Sequence, residues 1–368
     1  MAARRQNAKR RLIGGVIGVT LASVGTLPLP DPTEPNTSGH RGHASHEPTS
    51  AARGQRKPDL FVIGAMKSGT TYLNKLLDAH PAIFMCSPEE PSYFVDPKQL
   101  RILWPEAWDL GFWRDEEHYL RLFRSSGDAA VLGEASTNYT KRPLISGVPE
   151  RIHTFNPDAR FIYLLRDPVQ RTLSHYWHMV RYHAERRPML EAIRTDSQYL
   201  DVSNYAMQLT PYLELFGASR VMVVTFEQLT RNPAMTMRQV YDWLGVDGAE
   251  VDIPGLDVAE NVTPEVLRMA AWRGVLQHVR RSRPFRLLTP SLPRTLRERA
   301  VQFATHHVDR RTFDASQATN FLRPLQTRQT ESLTRLVGRR FPEWSTLHGG
   351  ADPRTPRWGE GNHFAAKT

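Results

Sequence analysis

The sequence predicts an α/β fold: a single domain with a central parallel sheet flanked by helices, and a helical C-terminal part. Four short apolar runs predict buried parallel strands, because strands covered on both faces are apolar throughout. These runs are DLFVIG (59–64), VLGEAS (131–136), RFIYLL (160–165) and RVMVVTF (220–226). Helical patterns at 168–182 and 233–244 follow two of them. The alternation of apolar strands and helices is typical of a sheet with helices on both faces.

The chain divides into three parts by composition. These are a basic and apolar leader with a Pro- and Ser-rich linker (1–58), the predicted domain (59–349) and a polar tail (350–368). We expect the leader and linker to be unpacked, because their composition supports no core. The domain is predicted to be mostly helical from about residue 264, with patterns at 295–307 and 324–339.

The charge and the cysteine count exclude several classes of protein. The 368-residue chain has 48 Lys and Arg against 38 Asp and Glu, a net charge of +10, which indicates an anionic partner. Residues 1–58 contain nine basic and three acidic residues, so +6 of this charge belongs to the leader and +4 to the rest. We therefore predict no nucleic-acid partner. The single cysteine, Cys86, excludes an intrachain disulfide and a Cys-rich zinc site.

The segment FVIGAMKSGTTYL (61–73) joins a predicted strand to a predicted helix through a tight loop. Its polar and small residues are Lys67, Ser68 and Gly69 in the loop, then Thr70 and Thr71 at the start of the helix. Unpaired backbone N–H groups at a helix N-terminus bind phosphate or sulfate oxygens. The loop is therefore predicted to bind an anion, with Lys67 adding a positive charge. An ordinary N-capped turn is the alternative explanation of the same residues.

A nucleoside triphosphate with Mg²⁺ fits this loop poorly. The Walker A motif places a lysine directly after its second glycine. Here Gly64 and Gly69 have the required spacing, but Thr70 stands at the lysine position and Lys67 comes earlier. A P-loop nucleotide kinase or phosphotransferase remains an alternative, and so does a non-enzymatic basic protein that binds anions, nucleic acid or a membrane.

The loop from Lys67 to Thr71 resembles the 5′-phosphosulfate loop of sulfotransferases that use 3′-phosphoadenosine-5′-phosphosulfate (PAPS). The segment RFIYLLRDPVQRTLSHYWHMV (160–180) resembles the 3′-phosphate element of the same family, in which Arg166 and Ser174 would bind the phosphate. The resemblance implies a P-loop-like domain, PAPS as sulfuryl donor and no metal. In motif style it is closest to heparan-sulfate-type and related bacterial sulfotransferases.

The start of the second segment also predicts local structure. Asp167 is expected to be the N-cap of a helix and Pro168 its first residue, since aspartate and proline favour these positions. Further along, NYAMQLTPYLELFGASRVMVVTFEQLTRNPAMTMRQVYDWLGV (204–246) resembles the family's later helix–strand–helix block. Many relatives have an aromatic hydroxyl where this chain has Phe226. No loop like the family's late basic loop is present, and an arginine from 268–294 is expected to replace it; the candidates are Arg273, Arg280, Arg281 and Arg283.

A general base for the acceptor is implied by a third resemblance. SPEEPSYF (87–94) resembles the family segment that carries a glutamate, which falls on Glu90 here, with Glu89 beside it. Two adjacent carboxylates raise each other's pKa, which favours a base near neutral pH. An acidic loop before a proline is the alternative explanation. The chemically possible rivals are His175, His178 and His183, and Glu134 is a candidate for orienting the acceptor.

These residues predict sulfuryl transfer by in-line displacement, with Lys67 stabilising the leaving phosphate oxygen and Glu90 accepting the acceptor's proton. The expected acceptor is a hydroxyl or amine of a carbohydrate, lipid or secondary metabolite. The arginine-rich composition and lack of a disulfide favour a bacterial cytoplasmic enzyme. A single-pass membrane protein is the alternative, because the apolar run 12–29 approaches the length of a membrane span. Contact with a membrane is expected only if that run is an anchor.

Overall fold

The computed structural model describes residues 56–183, 185–247 and 313–350, together with the backbone of two strands, Val266–Ala270 and Thr305–Asp309. The predicted leader up to residue 55, the apolar run 12–29 and the tail from 351 lie outside the described residues. Arg56 already contacts the domain, because its guanidinium donates a 2.6 Å hydrogen bond to the Ala129 carbonyl.

Within the described residues, the central sheet has five parallel strands. They are β1 (Leu60–Gly64), β2 (Ile83–Met85), β3 (Val131–Ala135), β4 (Arg160–Leu165) and β5 (Val221–Thr225). Their order in the sheet is β2-β3-β1-β4-β5, so β1 is central. Four of these strands match the apolar runs. The sequence missed β2, because three residues are too few to show a strand pattern.

Helices connect the strands and cover both faces of the sheet. In chain order they are α1 (Thr70–Asp78), α2 (Pro97–Leu103), α3 (Pro105–Leu110), α4 (Glu116–Leu120), α5 (Val148–Phe155), α6 (Pro168–Tyr182), α7 (Met189–Thr195), α8 (Gln198–Asp201), α9 (Tyr205–Phe216), α10 (Phe226–Arg231), α11 (Pro233–Leu244) and α12 (Ser316–Val337). A 3₁₀ turn, Thr137–Thr140, follows β3 directly. The predicted helices 168–182 and 233–244 correspond to α6 and α11.

The core consists of two apolar layers separated by the sheet. Successive residues of a strand point to opposite faces. Phe61 and Ile63 of β1 therefore belong to the layer that includes α5, α6, α9 and α12. Leu60 and Val62 belong to the layer formed with α1, α10 and α11. All four side chains are fully buried, as expected for a central parallel strand.

The C-terminal part is only partly helical. Helix α12 contains most of the predicted pattern 324–339. The helical prediction is wrong, however, at Val266–Ala270 (β6) and Thr305–Asp309 (β7), which form an antiparallel pair. Residues 305–307 of the predicted helix 295–307 therefore lie in a strand, because cross-strand pairing overrides a weak local helical preference.

None of the helices in the described part of the chain is long and apolar enough to cross a membrane. The cytoplasmic location stays a prediction from composition.

Candidate active site

The carboxyl ends of the parallel strands form one edge of the sheet, and the predicted site lies there. This edge is where ligands bind in open α/β sheets. The loop 65–69 follows β1, the 3₁₀ turn follows β3, and Arg166 follows β4. The segment that carries Glu90 joins the same edge, because the Glu90 amide donates a 2.9 Å hydrogen bond to the carbonyl of Ala135, the last residue of β3.

The loop between β1 and α1 has an unusual backbone. Lys67 has a φ of 70° and Gly69 a φ of 93°, both in the left-handed region. Gly69 is also the N-cap of α1, and a Cβ atom there would lie 2.7 Å from the Phe226 ring. Only glycine fits both conditions. The turn thus brings Lys67, Ser68 and the first residues of α1 around a single helix N-terminus, which is the geometry that binds anions.

Ser68 has a buried hydroxyl that a bound anion would satisfy. Its side chain is fully buried, and its Oγ has no hydrogen-bond partner among the described residues. A buried hydroxyl without a partner loses its hydration with no compensation. An anion oxygen bound in the loop would supply the missing acceptor.

The two threonines of the loop differ in their surroundings. Thr71 donates a 3.1 Å hydrogen bond from its hydroxyl to Oε2 of Glu89. Burial raises the pKa of Glu89, and the Thr71 hydrogen bond opposes that rise. Thr70 is half-buried at the first position of α1. Both predicted threonine ligands therefore lie at the loop, with Thr71 also connecting it to the acidic segment.

The second predicted element begins where β4 ends. Arg166 donates from Nη1 to the Lys67 carbonyl at 3.1 Å, and its guanidinium lies 5.4 Å from the centre of the Phe226 ring. Phe226 therefore supplies an aromatic face where an aromatic hydroxyl was expected from the resemblance. Ser174 lies two turns along α6 and is half-buried; its contact with a 3′-phosphate stays a prediction.

Asp167 caps α6 as predicted, and Pro168 is the first helical residue. One carboxylate oxygen, Oδ1, accepts hydrogen bonds from the amides of Val169 and Gln170. The other, Oδ2, accepts a 2.9 Å hydrogen bond from the amide of Leu347. Burial raises the pKa of Asp167, and these amide donors oppose the rise. The cap thus also positions the segment after α12.

Glu90 is held at both of its carboxylate oxygens by one residue. The Thr137 amide donates to Oε2 at 2.9 Å, and the Thr137 hydroxyl donates to Oε1 at 2.8 Å. The Glu90 backbone has a φ of 60°, so its segment turns sharply at this residue. Burial raises the pKa of Glu90, and the positive charge of Lys141 opposes that rise. The carboxylate is therefore fixed in orientation and more basic than a solvated glutamate.

The structure adds Lys141, which the sequence did not indicate as a site residue. Its buried ammonium donates a 2.6 Å hydrogen bond to Oδ1 of Asn138 and lies 4.5 Å from the centre of the Trp104 ring. It makes no ion pair with the described carboxylates, and burial lowers its pKa to about 8, against the attraction of Glu90. The only feature of the sequence that drew attention to it is that lysine is rare, since only seven of the 48 basic residues are lysines.

The three rival histidines are neutral at physiological pH because all three are desolvated. Burial lowers the pKa of His175 well below its usual value, and its ring packs 4.7 Å from Tyr199. Burial, followed by the charge of Lys67, lowers the pKa of His178 to about 2. Burial and Lys141 lower the pKa of His183 to about 4. The positive charge of Lys67 acts on His178 and, with burial, makes this ring a poor base; its part in the reaction stays a prediction.

Glu134 is enclosed by the protein. Its side chain is fully buried at the end of β3 and accepts hydrogen bonds from three hydroxyls, those of Tyr119, Ser136 and Tyr139. Burial raises its pKa to about 7, and these hydroxyls oppose the rise. The described contacts of Glu134 are therefore all inside the protein, and its role in orienting an acceptor stays a prediction.

Two further predictions concern metals and the late arginines. Over the described residues, no group of three or more His, Cys, Asp or Glu side chains could hold a metal ion. Arg273, Arg280, Arg281 and Arg283 lie outside the described residues.

The central strand of the parallel sheet, β1, leads through the loop 65–69 into the N-terminus of α1. This arrangement places the chain among α/β proteins with a P-loop-like fold. The chain matches the model of the sulfotransferase family over residues 58–250, more than half of its length. The chain belongs to the sulfotransferase family.

Individual relatives agree with this assignment. The chain is 26% identical over 233 residues to human heparan sulfate glucosamine 3-O-sulfotransferase 6, a match that covers 60% of this chain and 62% of the relative. It is 34% identical over 125 residues to the membrane-associated sulfotransferase kil1 of Dictyostelium discoideum, covering 34% of this chain and 24% of the relative. The chain thus spans less than two thirds of the length of these relatives.

Among solved structures, a sulfotransferase from Alicyclobacillus acidocaldarius matches with a TM-score of 0.55 and 25% identity. The match covers 78% of this chain and 99% of that one. The predicted family and the predicted fold class are confirmed.

Proposed function

We propose that this protein transfers the sulfuryl group of PAPS to a hydroxyl or amine of an acceptor. The observation that carries the proposal is the loop after β1, where the buried Ser68 hydroxyl lacks a partner in the described part of the chain. Lys67 belongs to this loop, and Arg166 contacts it. Glu90 lies at the same edge of the sheet, held by Thr137.

The residues of this edge fit PAPS. The proposed ligands of the 5′-phosphosulfate are Lys67, Ser68, Gly69, Thr70 and Thr71, and those of the 3′-phosphate are Arg166 and Ser174. Bound PAPS supplies an activated sulfuryl group whose leaving group is a phosphate. The Ser68 hydroxyl and the N-terminus of α1 donate hydrogen bonds to the phosphosulfate. Lys67 and Arg166 balance the negative charge of PAPS.

Lys67 and Glu90 have complementary roles in the proposed reaction. The Lys67 ammonium stabilises negative charge that develops on the leaving phosphate oxygen. Glu90 accepts the proton of the acceptor hydroxyl, because burial raises its pKa above that of a solvated glutamate and two hydrogen bonds from Thr137 fix its carboxylate. A sulfuryl group carries less negative charge than a phosphoryl group, so the proposed reaction requires no metal.

We propose a carbohydrate as the first acceptor to test. Relatives of the chain are named as heparan sulfate glucosamine 3-O-sulfotransferases, which supports a glucosamine-containing glycan. Lipid and secondary-metabolite acceptors belong in the same panel, because the Trp104 ring beside Lys141 also suits apolar groups.

The test has two stages. Thermal shift with the product 3′-phosphoadenosine-5′-phosphate (PAP) measures binding without an acceptor, and the expected result is a dose-dependent rise in melting temperature. Formation of PAP from PAPS is then followed with a panel that includes N-sulfated heparan oligosaccharides, aryl glycosides, phenols and glycolipids. Turnover of ATP with Mg²⁺ and none of PAPS would contradict the proposal and favour the phosphotransferase alternative.

A further inference from the structure

Glu134 lies at the centre of a hydrogen-bond network that ends at the segment carrying Glu90. The Ser136 hydroxyl donates to Oε2 of Glu134 at 2.9 Å, and the Tyr139 hydroxyl donates to Oε1 at 2.9 Å. Tyr119, from α4, donates to Oε1 at 2.7 Å. All three hydroxyls donate to this one side chain, so in its ionised form, which only accepts, Glu134 determines the direction in which each hydroxyl hydrogen points.

Two of these hydroxyls also accept hydrogen bonds from the Glu90 segment. The Ser92 amide donates to the Ser136 oxygen at 3.1 Å, and the Phe94 amide donates to the Tyr139 oxygen at 3.4 Å. A hydroxyl whose hydrogen points at Glu134 has its lone pairs free for these amides. Each link thus runs from Glu134, through a hydroxyl, to a backbone amide two or four residues after Glu90.

The same segment is also hydrogen-bonded to the end of β3 and to the 3₁₀ turn that follows it. The Glu90 amide binds the Ala135 carbonyl, and its carboxylate binds Thr137. The Asn138 side chain donates to the Ser92 hydroxyl at 2.9 Å. Glu134 is the only charged group in the two hydroxyl links, and it is fully buried at the base of this pairing.

We propose that Glu134 is a positioning residue for Glu90: its carboxylate orients the Ser136 and Tyr139 hydroxyls, which hold the backbone of the Glu90 segment. This inference rests on the proposed function, in which Glu90 is the base. A buried carboxylate requires compensation for its lost hydration, and the three hydroxyls provide it. The position of a catalytic carboxylate to within about 0.5 Å depends on such supporting contacts.

Three variants break the network at different points. Glu134→Gln keeps the shape but replaces one accepting oxygen by a donor. Ser136→Ala removes the link to the Ser92 amide, and Tyr139→Phe removes the link to the Phe94 amide. Asp59→Asn is the matched control, because Asp59 is a partly buried carboxylate that binds the Leu132 amide and Arg160 at the opposite end of the sheet.

Hydrogen exchange tests the positioning without an acceptor. In Glu134→Gln, the amides of Ser92 and Phe94 should exchange at least tenfold faster. In Ser136→Ala, the Ser92 amide alone should do so. The amides of the loop 65–69 should be unchanged in both, as should the PAP-induced shift in melting temperature. Unchanged exchange at Ser92 and Phe94 would overturn the proposal, and so would an equal rise at the loop 65–69, which indicates general loosening.

Kinetics test the consequence for the reaction. With the best acceptor of the panel, each of the three network variants should lower kcat about tenfold or more and leave the KM for PAPS unchanged, whereas Asp59→Asn should change neither. In the double variant Glu134→Gln, Ser136→Ala, kcat should fall by less than the product of the two single reductions, because both changes act through one link.

If Glu134→Gln fails to fold, Ser136→Ala and Tyr139→Phe test the proposal, and a normal kcat in both would overturn it. Failure of the unsubstituted protein to bind PAP would instead contradict the proposed function.

Discussion

Arg166 donates a hydrogen bond from its guanidinium to the backbone carbonyl of Lys67, 3.1 Å away. The contact joins two segments that are 99 residues apart in the chain. It connects the loop after β1 to the element after β4, so the residues proposed to bind the phosphosulfate and the 3′-phosphate are directly hydrogen-bonded to each other. The Phe226 ring packs against both Arg166 and Gly69.

Replacement of Lys67 should impair the chemical step more than binding. We expect Lys67→Ala to lower kcat by on the order of 10²–10³-fold, the cost of removing one stabilising group from a developing negative charge. The loop backbone and Arg166 remain, so PAP should still raise the melting temperature. Lys98→Ala, at an exposed position of α2, is the control. Retained turnover would remove Lys67 from the mechanism.

Gly69→Ala should destabilise the protein more than the same substitution at a glycine whose positive φ is its only constraint. Gly69 has a φ of 93°, and a Cβ there would lie 2.7 Å from the Phe226 ring. Gly245 has a φ of 75° with nothing within 4 Å of its Cβ position. Gly245→Ala should therefore lower the free energy of unfolding only by the cost of the left-handed backbone, about 1–2 kcal/mol. Gly69→Ala should cost about 1–3 kcal/mol more.

Chemical denaturation with and without PAP measures these costs. The PAP-induced stabilisation should fall in Gly69→Ala and persist in Gly245→Ala, because only the first change moves the anion loop. Equal effects of the two substitutions would show that Phe226 yields to the added methyl group.

The sequence predicted the local features of the site better than its long-range contacts. The loop after β1, the Asp167 cap and the start of α6 follow from short motifs whose physical causes are local. Glu90 and Thr137, in contrast, are 47 residues apart, and their pairing depends on how the segment after β2 lies along the end of β3. No periodic pattern in the sequence indicates the contact between Glu90 and Thr137. For the same reason Lys141 was missed: its burial against Trp104 and Asn138 depends on tertiary packing.

Glu90 and His178 can be distinguished as bases by substitution. Glu90→Gln keeps an accepting oxygen for Thr137 but removes the basic group, so we expect kcat to fall by about 10²–10⁴-fold. His178→Gln should lower kcat less than tenfold, because the ring is neutral and its pKa of about 2 makes it a poor base. Measurement of kcat at saturating PAPS decides between them, and a larger loss in His178→Gln would reverse the assignment.

Lys141 should set the pH at which Glu90 becomes active. The charge of Lys141 favours ionised Glu90, and Lys141 is itself protonated below its pKa of about 8. Lys141→Met removes that charge, so the pKa of Glu90 should rise and the acidic limb of kcat/KM should move to higher pH. Lys141→Arg retains a charge and should leave the limb nearly in place. A limb that stays unmoved in Lys141→Met, with PAP binding intact, would show that Lys141 acts on something other than Glu90.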